Sequence, residues 1–118
     1  VTMNGDASRL VAGSSTGKVY RLNSEGKLIW TIDGAADAPA DVAQRRVTGM
    51  ALNLNASRFF AGFIDDPGTE TESSVLSLLN DSPLKIWSVT IESAVIGAGI
   101  ADDGKRMVSR STDATFTL

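Results

Sequence analysis

Two segments of this chain hold the residue types best able to do chemistry. Asp65, Asp66, Glu70 and Glu72 fall within one short stretch. Together they could offer oxygen ligands to a hard cation such as Ca²⁺. Their spacing fits no established calcium loop, so a solvated acidic hairpin is the preferred reading. Asp37 and Asp41 precede Arg45 and Arg46, and these four form either a polar contact patch for a partner or a soluble loop. Asp102 and Asp103 look like paired carboxylates but sit in a turn-like Asp-Asp-Gly-Lys run. Ser14-Ser15-Thr16 and Ser109-Arg110-Ser111-Thr112 supply hydroxyls without a base near in sequence, which argues against a serine hydrolase. The run Val95-Ile96-Gly97-Ala98-Gly99-Ile100 resembles a nucleotide-binding glycine loop only superficially, because no helical pattern follows it.

The whole composition narrows the chemistry further. The chain of 118 residues contains no cysteine and no histidine. That removes thiol nucleophiles, disulfides, imidazole bases and the usual zinc ligands. No catalytic residue, cofactor site or metal site is expected. The net charge of -3 and the lack of a basic patch argue against nucleic acid as a partner. No stretch approaches the ~18 apolar residues of a membrane-spanning helix, so membrane insertion is not expected. The chain begins at Val1, which is read as the start of a processed protein or an excised piece. A cysteine-free chain fits either redox compartment and leaves the location open, with an extracytoplasmic or cell-surface site slightly favoured.

The elements that must position these residues repeat. Asp6-Ala7-Ser8-Arg9-Leu10-Val11-Ala12-Gly13 returns as Asn55-Ala56-Ser57-Arg58-Phe59-Phe60-Ala61-Gly62, and again as Asp103-Gly104-Lys105-Arg106-Met107-Val108-Ser109. The copies start 49 and then 48 residues apart. A period of roughly 40–50 residues made of short apolar runs marks β-propeller blades. Four short strands fit the first unit: Val1 to Asn4, Arg9 to Gly13, Lys18 to Asn23 and Lys27 to Ile32. Thr48 to Leu54, Arg58 to Ile64, Ser74 to Asn80 and Leu84 to Ile91 fit the second. The third runs Ala94 to Ile100, Arg106 to Arg110 and Ala114 to Leu118. No segment holds a helical apolar period over three turns. The predicted fold is all-β: one domain, residues 1–118, forming a partial β-propeller of about three four-stranded antiparallel blades, the last incomplete. Blade 1 covers about 1–33, blade 2 about 47–92 and blade 3 about 94–118.

The segment Gly17-Lys18-Val19-Tyr20-Arg21-Leu22-Asn23-Ser24-Glu25-Gly26-Lys27-Leu28-Ile29-Trp30 resembles the repeat of the pyrroloquinoline-quinone-like propellers, and more loosely that of WD-repeat proteins. Leu79-Asn80 and Lys85-Ile86-Trp87 echo it in the second unit. The resemblance implies that Trp30 and Trp87 pack between neighbouring blades. That family includes quinone-dependent dehydrogenases and scaffolds without a cofactor. Its quinone-holding residues and calcium ligands are not recognisable here, so no cofactor is implied.

Three blades are too few for a ring, which closes with four to eight. The expected partners therefore include the rest of a longer propeller or further copies of the chain. In an up-and-down meander the short turns fall on one face. The two long loops, Asp33 to Arg46 and Asp65 to Ser73, fall together on the other. Loops on a rigid scaffold are where binding concentrates. The functional expectation is a non-catalytic binding or scaffold module that presents these loops to a protein or glycan. The alternatives are a self-associating structural subunit and a fragment of a quinone-dependent dehydrogenase. Candidate partner-binding residues are Asp37, Asp41, Arg45, Arg46, Asp65, Asp66, Glu70 and Glu72.

Overall fold

The computed structural model describes residues 2–3, 8–82, 84–111 and 115–117. Of the expected first turn, Gly5 to Ser8, all but Ser8 lies outside them, as do both end residues of the expected first and last strands. The described residues form eleven strands and no helix. Strands β1 (Thr2–Met3), β2 (Arg9–Gly13), β3 (Lys18–Asn23) and β4 (Leu28–Asp33) make one antiparallel sheet in chain order. A second sheet holds β5 (Arg45–Leu52), β6 (Arg58–Asp65), β7 (Ser73–Asn80) and β8 (Lys85–Ile91). A third holds β9 (Val95–Ile100), β10 (Met107–Ser111) and β11 (Thr115–Thr117). These are three successive blades, the last with three strands.

The sequence repeat is a structural repeat down to its irregularities. Asn23 Oδ1 accepts the N–H groups of Glu25 and Lys27 at 3.0 and 2.9 Å. Asn80 Oδ1 accepts those of Ser82 and Leu84, both at 3.0 Å. An asparagine side chain that captures nearby backbone donors closes each turn tightly. Each outer strand then carries one extra residue, Ile29 in β4 and Ile86 in β8, where the ladder slips by one. The inner strands bulge at Thr48 and Ile96, again at matching positions. The turns before β6 and β10 are matched as well. Ala56 and Gly104 both adopt positive φ, 56° and 68°. Asn55 Oδ1 and Asp103 Oδ1 each accept the N–H two residues on. Asp102 and Asp103 are therefore turn residues. Arg9 and Arg58 each donate from Nη1 to the carbonyl of the preceding serine at 3.0 Å.

Alternation along the strands gives every blade two packing faces. Blade 1 turns Val11, Val19, Trp30 and Ile32 toward Phe59, Ala61, Phe63 and Leu79 of blade 2, and these form one core cluster. Blade 2 turns Phe60, Leu76, Leu78 and Trp87 toward Val95, Ile100 and Met107 of blade 3, a second cluster. The core thus lies between blades. Both tryptophans pack there, as the resemblance implied, and Trp30 lies 5.2 Å from Phe59 between ring centroids. Small residues allow the close approach. A Cβ on Gly13 would fall 2.4 Å from Val47 of the next blade.

Polar links cross the same seams. The Val47 N–H donates to the Ser14 carbonyl at 3.0 Å, and the Val95 N–H, at the equivalent position, donates to Ser74 Oγ at 2.9 Å. Thr48 Oγ1 donates to the Val95 carbonyl at 2.6 Å. Arg21 is buried between blades 1 and 2, where it donates to the Asp81 carbonyl at 3.0 Å and pairs with the Asp81 carboxylate. Burial, and secondarily the charge of Arg9, holds the Arg21 guanidinium below the usual arginine range.

Candidate partner-binding face

Chain direction sets which loops meet. The β2–β3 turn, the β4–β5 loop, the β6–β7 loop and the β8–β9 link share one face, because each leaves an up-running strand at the same end. The short turns β3–β4, β5–β6, β7–β8 and β9–β10 share the other. The two long loops are therefore neighbours, as their lengths and positions predicted. They are shorter than expected. Asp33 completes β4, Arg45 and Arg46 open β5, Asp65 completes β6 and Ser73 opens β7. The loops proper are residues 34–44 and 66–72, and the first strand of blade 2 begins at Arg45 instead of near residue 47.

Antiparallel register places Arg45 opposite Asp65. The guanidinium donates from Nε to Asp65 Oδ1 at 2.6 Å and from Nη2 to Oδ2 at 2.7 Å. Its Nη1 donates to the Gly34 carbonyl at 3.0 Å. Both side chains are buried, Arg45 at 7% and Asp65 at 3% exposure. The guanidinium also lies over the Phe63 ring, 5.5 Å from its centroid. Gly34 packs so tightly on that ring that a Cβ would fall 2.4 Å from it. Arg45 and Asp65 thus bind each other at the root of both loops and offer no free charge to a partner.

Asp66 extends the tie. Its N–H donates to the Gln44 carbonyl at 2.8 Å, and its Oδ1 accepts the N–H groups of Ala43 and Gln44, both at 2.9 Å. The second loop is braced within itself. Thr69 Oγ1 donates to the Asp66 carbonyl at 2.7 Å, and Glu72 Oε2 accepts the Gly68 N–H at 2.6 Å. The four carboxylates considered for Ca²⁺ do not converge: Asp65 faces Arg45, Asp66 faces the first loop, and Glu72 faces Gly68. Among the described residues no group of three or more ligating side chains could hold a metal.

Between the loops lies an open groove of about 360 Å³. Pro39, Val42 and Val75 supply apolar lining, and Asp41, Asp66 and Thr71 supply polar groups. A smaller cleft of about 110 Å³ opens between blades 1 and 2, with Asp37 and Lys85 among its lining residues. Arg46 and Glu70 are exposed near the same face. The eight candidates thus divide. Asp41 and Asp66 border the groove, Asp37 the cleft; Arg46 and Glu70 stand free in solvent; Glu72 braces a loop; Arg45 and Asp65 are buried.

Charge is segregated between the faces. Asp33, Asp37, Asp41, Asp66, Glu70, Glu72 and Glu92 lie on the long-loop side, against Lys18, Arg46 and Arg110. The short-turn side carries Arg9, Lys27, Arg58, Lys85, Lys105 and Arg106 against Glu25, Asp81, Asp102 and Asp103. Composition alone gave only a mild net charge. The segregation appears once alternate turns are sorted by face.

No family model matches this chain, and no curated protein does. Solved structures do. The propeller domain of Cps50 (Swd1) from Myceliophteria thermophila superimposes with a TM-score of 0.71 over 99% of this chain, at 10% identity and 36% of its own length. The fold is that of a partial β-propeller. A chain of the Mitotic Checkpoint Complex matches with a TM-score of 0.62 over 99% of this chain, at 15% identity and 35% of its own length. The major allergen Mala s 1 of Malassezia sympodialis matches at 0.66 over 94%, at 12% identity and 41% of its own length. The chain therefore spans between 35% and 41% of each of these chains, and identities this low speak to fold alone.

Proposed function

We propose that this chain is a non-catalytic binding module of one domain, a propeller segment whose long-loop face docks a protein partner. The observation that carries the reading is the tie between the two loops. The buried Arg45–Asp65 pair and the Asp66 contacts hold both loops in one fixed arrangement around the groove. A preformed surface loses little freedom on binding, so more of the contact energy is available as affinity. The acidic excess on that side favours a partner that brings lysine or arginine to the groove rim at Asp41 and Asp66. The absence of histidine and cysteine from the sequence supports a binding role over catalysis. A similar chain was solved in the Mitotic Checkpoint Complex, an instance of this fold within an assembly. The resemblance of residues 17–30 to quinone-type repeats contributes the blade pattern and no cofactor.

The test is site-specific photo-crosslinking in host extract. A photo-reactive residue replaces Asp41 or Glu70 on the loop face, or Ser24 or Lys105 on the opposite face. The expected result is one protein adduct from the loop-face positions alone, lost from the Asp41 probe in a Glu70→Lys background and from the Glu70 probe in an Asp41→Lys background, each folding normally. Equal labelling from both faces, or binding to glycans in place of protein, would overturn the proposal.

A further inference from the structure

We infer that the seam between blades 1 and 2 takes an extended segment of the docked partner, with a basic, an aliphatic and an acidic side chain at successive alternate positions. The inference rests on the reading of the long-loop face as a protein-binding face, and it names the peptide that this face receives.

The ladder of blade 2 explains why the seam is open there. Phe59 pairs with Leu79, Ala61 with Ser77 and Phe63 with Val75 across β6 and β7. These three pairs share the face turned toward blade 1, because alternate residues of a strand point the same way. A row of small side chains thus lies between two rows of large ones. The cleft of about 110 Å³ forms over the small row, with Ile32 of blade 1 on its opposite wall. Its floor is deep, since Ala61 is fully buried and Ser77 is 3% exposed. Both sheets that wall it are four-stranded. An apolar cavity of about 150 Å³ holds a benzene ring. The smaller cleft therefore fits a branched aliphatic side chain and crowds an aromatic one.

The cleft and the groove adjoin, and Val75 lines both. The β4–β5 loop contributes Asp37 to the cleft and Asp41 and Val42 to the groove. At the far end of the cleft stands Lys85, opposite Leu79 in the ladder. Val75 and Leu79 are four strand residues apart, about 13 Å. An extended peptide covers that distance in four residues, so its positions i, i+2 and i+4 reach the groove, the cleft and Lys85 in turn. The two ends of this track differ in sign, with Asp41 and Asp66 at one and Lys85 at the other. Charge complementarity assigns a lysine or arginine to the groove, its stem along Val42 and Val75, and a carboxylate to Lys85. Ser88 and Thr90, opposite Ser77 and Val75, are exposed along the track and offer hydroxyls to the peptide backbone.

Selection of random heptapeptides displayed on phage against the 118-residue chain tests the assignment. The expected outcome is enrichment of basic, aliphatic and acidic residues at three alternate positions, read in either chain direction. Lys85→Glu, at an exposed site, should exchange the acidic preference for a basic one. On a selected peptide, alanine in place of the aliphatic residue should weaken binding at least about tenfold, since its methylene groups leave the cleft. Tryptophan at that position should abolish binding. Ser77→Leu fills the cleft and should remove the aliphatic preference; circular dichroism checks its folding, and the alanine and tryptophan peptides report on the same cleft if it unfolds. Selected peptides without the alternating pattern overturn the inference. So does a pattern indifferent to Lys85→Glu, and so does the absence of any enriched peptide. Adducts still formed from Asp41 and Glu70 in the crosslinking test would then leave the docking face standing and remove only the peptide assigned to the seam; loss of those adducts as well would remove both.

Discussion

Replacing Asp65 with alanine removes two short, charge-assisted hydrogen bonds and leaves the Arg45 guanidinium buried with one carbonyl and an aromatic ring for company. Breaking a buried pair from one side costs about 3–5 kcal/mol, because the surviving charge has lost its counter-ion without regaining water. A chain of 118 residues has a total stability of roughly 6–18 kcal/mol, so the loss is a large share of it. The double variant Asp65→Leu, Arg45→Met removes both charges and keeps most of the packed volume. Its expected cost is within about 1 kcal/mol of the parent, since apolar replacements of buried pairs are often neutral. Urea unfolding followed by tryptophan fluorescence measures all three, with Trp30 and Trp87 reporting from the two interblade seams. Adding the single variants Asp65→Leu and Arg45→Met completes a four-cornered cycle with the parent and the double variant, which isolates the coupling. A cost for Asp65→Ala below about 1 kcal/mol, the level of an exposed ion pair, would refute the buried tie. So would a double variant as unstable as the single one.

Trp30→Ala is expected to destabilise by roughly 3–5 kcal/mol, and Trp30→Phe by much less, since the ring packed at a tilt against Phe59 is what fills the seam; thermal unfolding by circular dichroism checks both. Gly13→Ala places a methyl within 2.4 Å of Val47 and should cost about 1–3 kcal/mol through overpacking, whereas Gly97→Ala, with open space around it, should leave the stability of the isolated chain nearly unchanged. Ser74→Ala removes the acceptor of the buried Val95 N–H; about 1–3 kcal/mol is lost, and hydrogen exchange at Val95 should accelerate ahead of its neighbours. Asp66→Ala should speed exchange at Ala43 and Gln44 while the blade cores stay protected.

The strands were legible because their determinants are local. Lys18 to Asn23 alternates apolar and polar residues, and β3 occupies those residues. The turn at Asn23 to Lys27 carries its own closing side chain, and its copy at Asn80 behaves alike. The adjacency of the long loops followed from counting strand directions. The loop roots were harder to read. Arg45-Arg46 looks like loop charge because nothing nearby in sequence marks it as strand. Its burial depends on Asp65, twenty residues away along the chain, reached only through the β5–β6 ladder. Asp65 and Asp66 look like one acidic pair. A strand's alternation sends the first into the interior, and the positive φ of the second, 47°, turns it toward the neighbouring loop.

By itself the sequence determined the repeat, the strands, the turns and the number of blades, since side-chain alternation and turn chemistry act over a few residues. Tertiary structure alone decided which charges are buried against each other, which line a groove, and which apolar side chains meet across the seams. Those outcomes depend on the desolvation of groups brought together from distant parts of the chain, and contact across a ladder or a seam, unlike a turn, leaves no mark in the neighbouring letters.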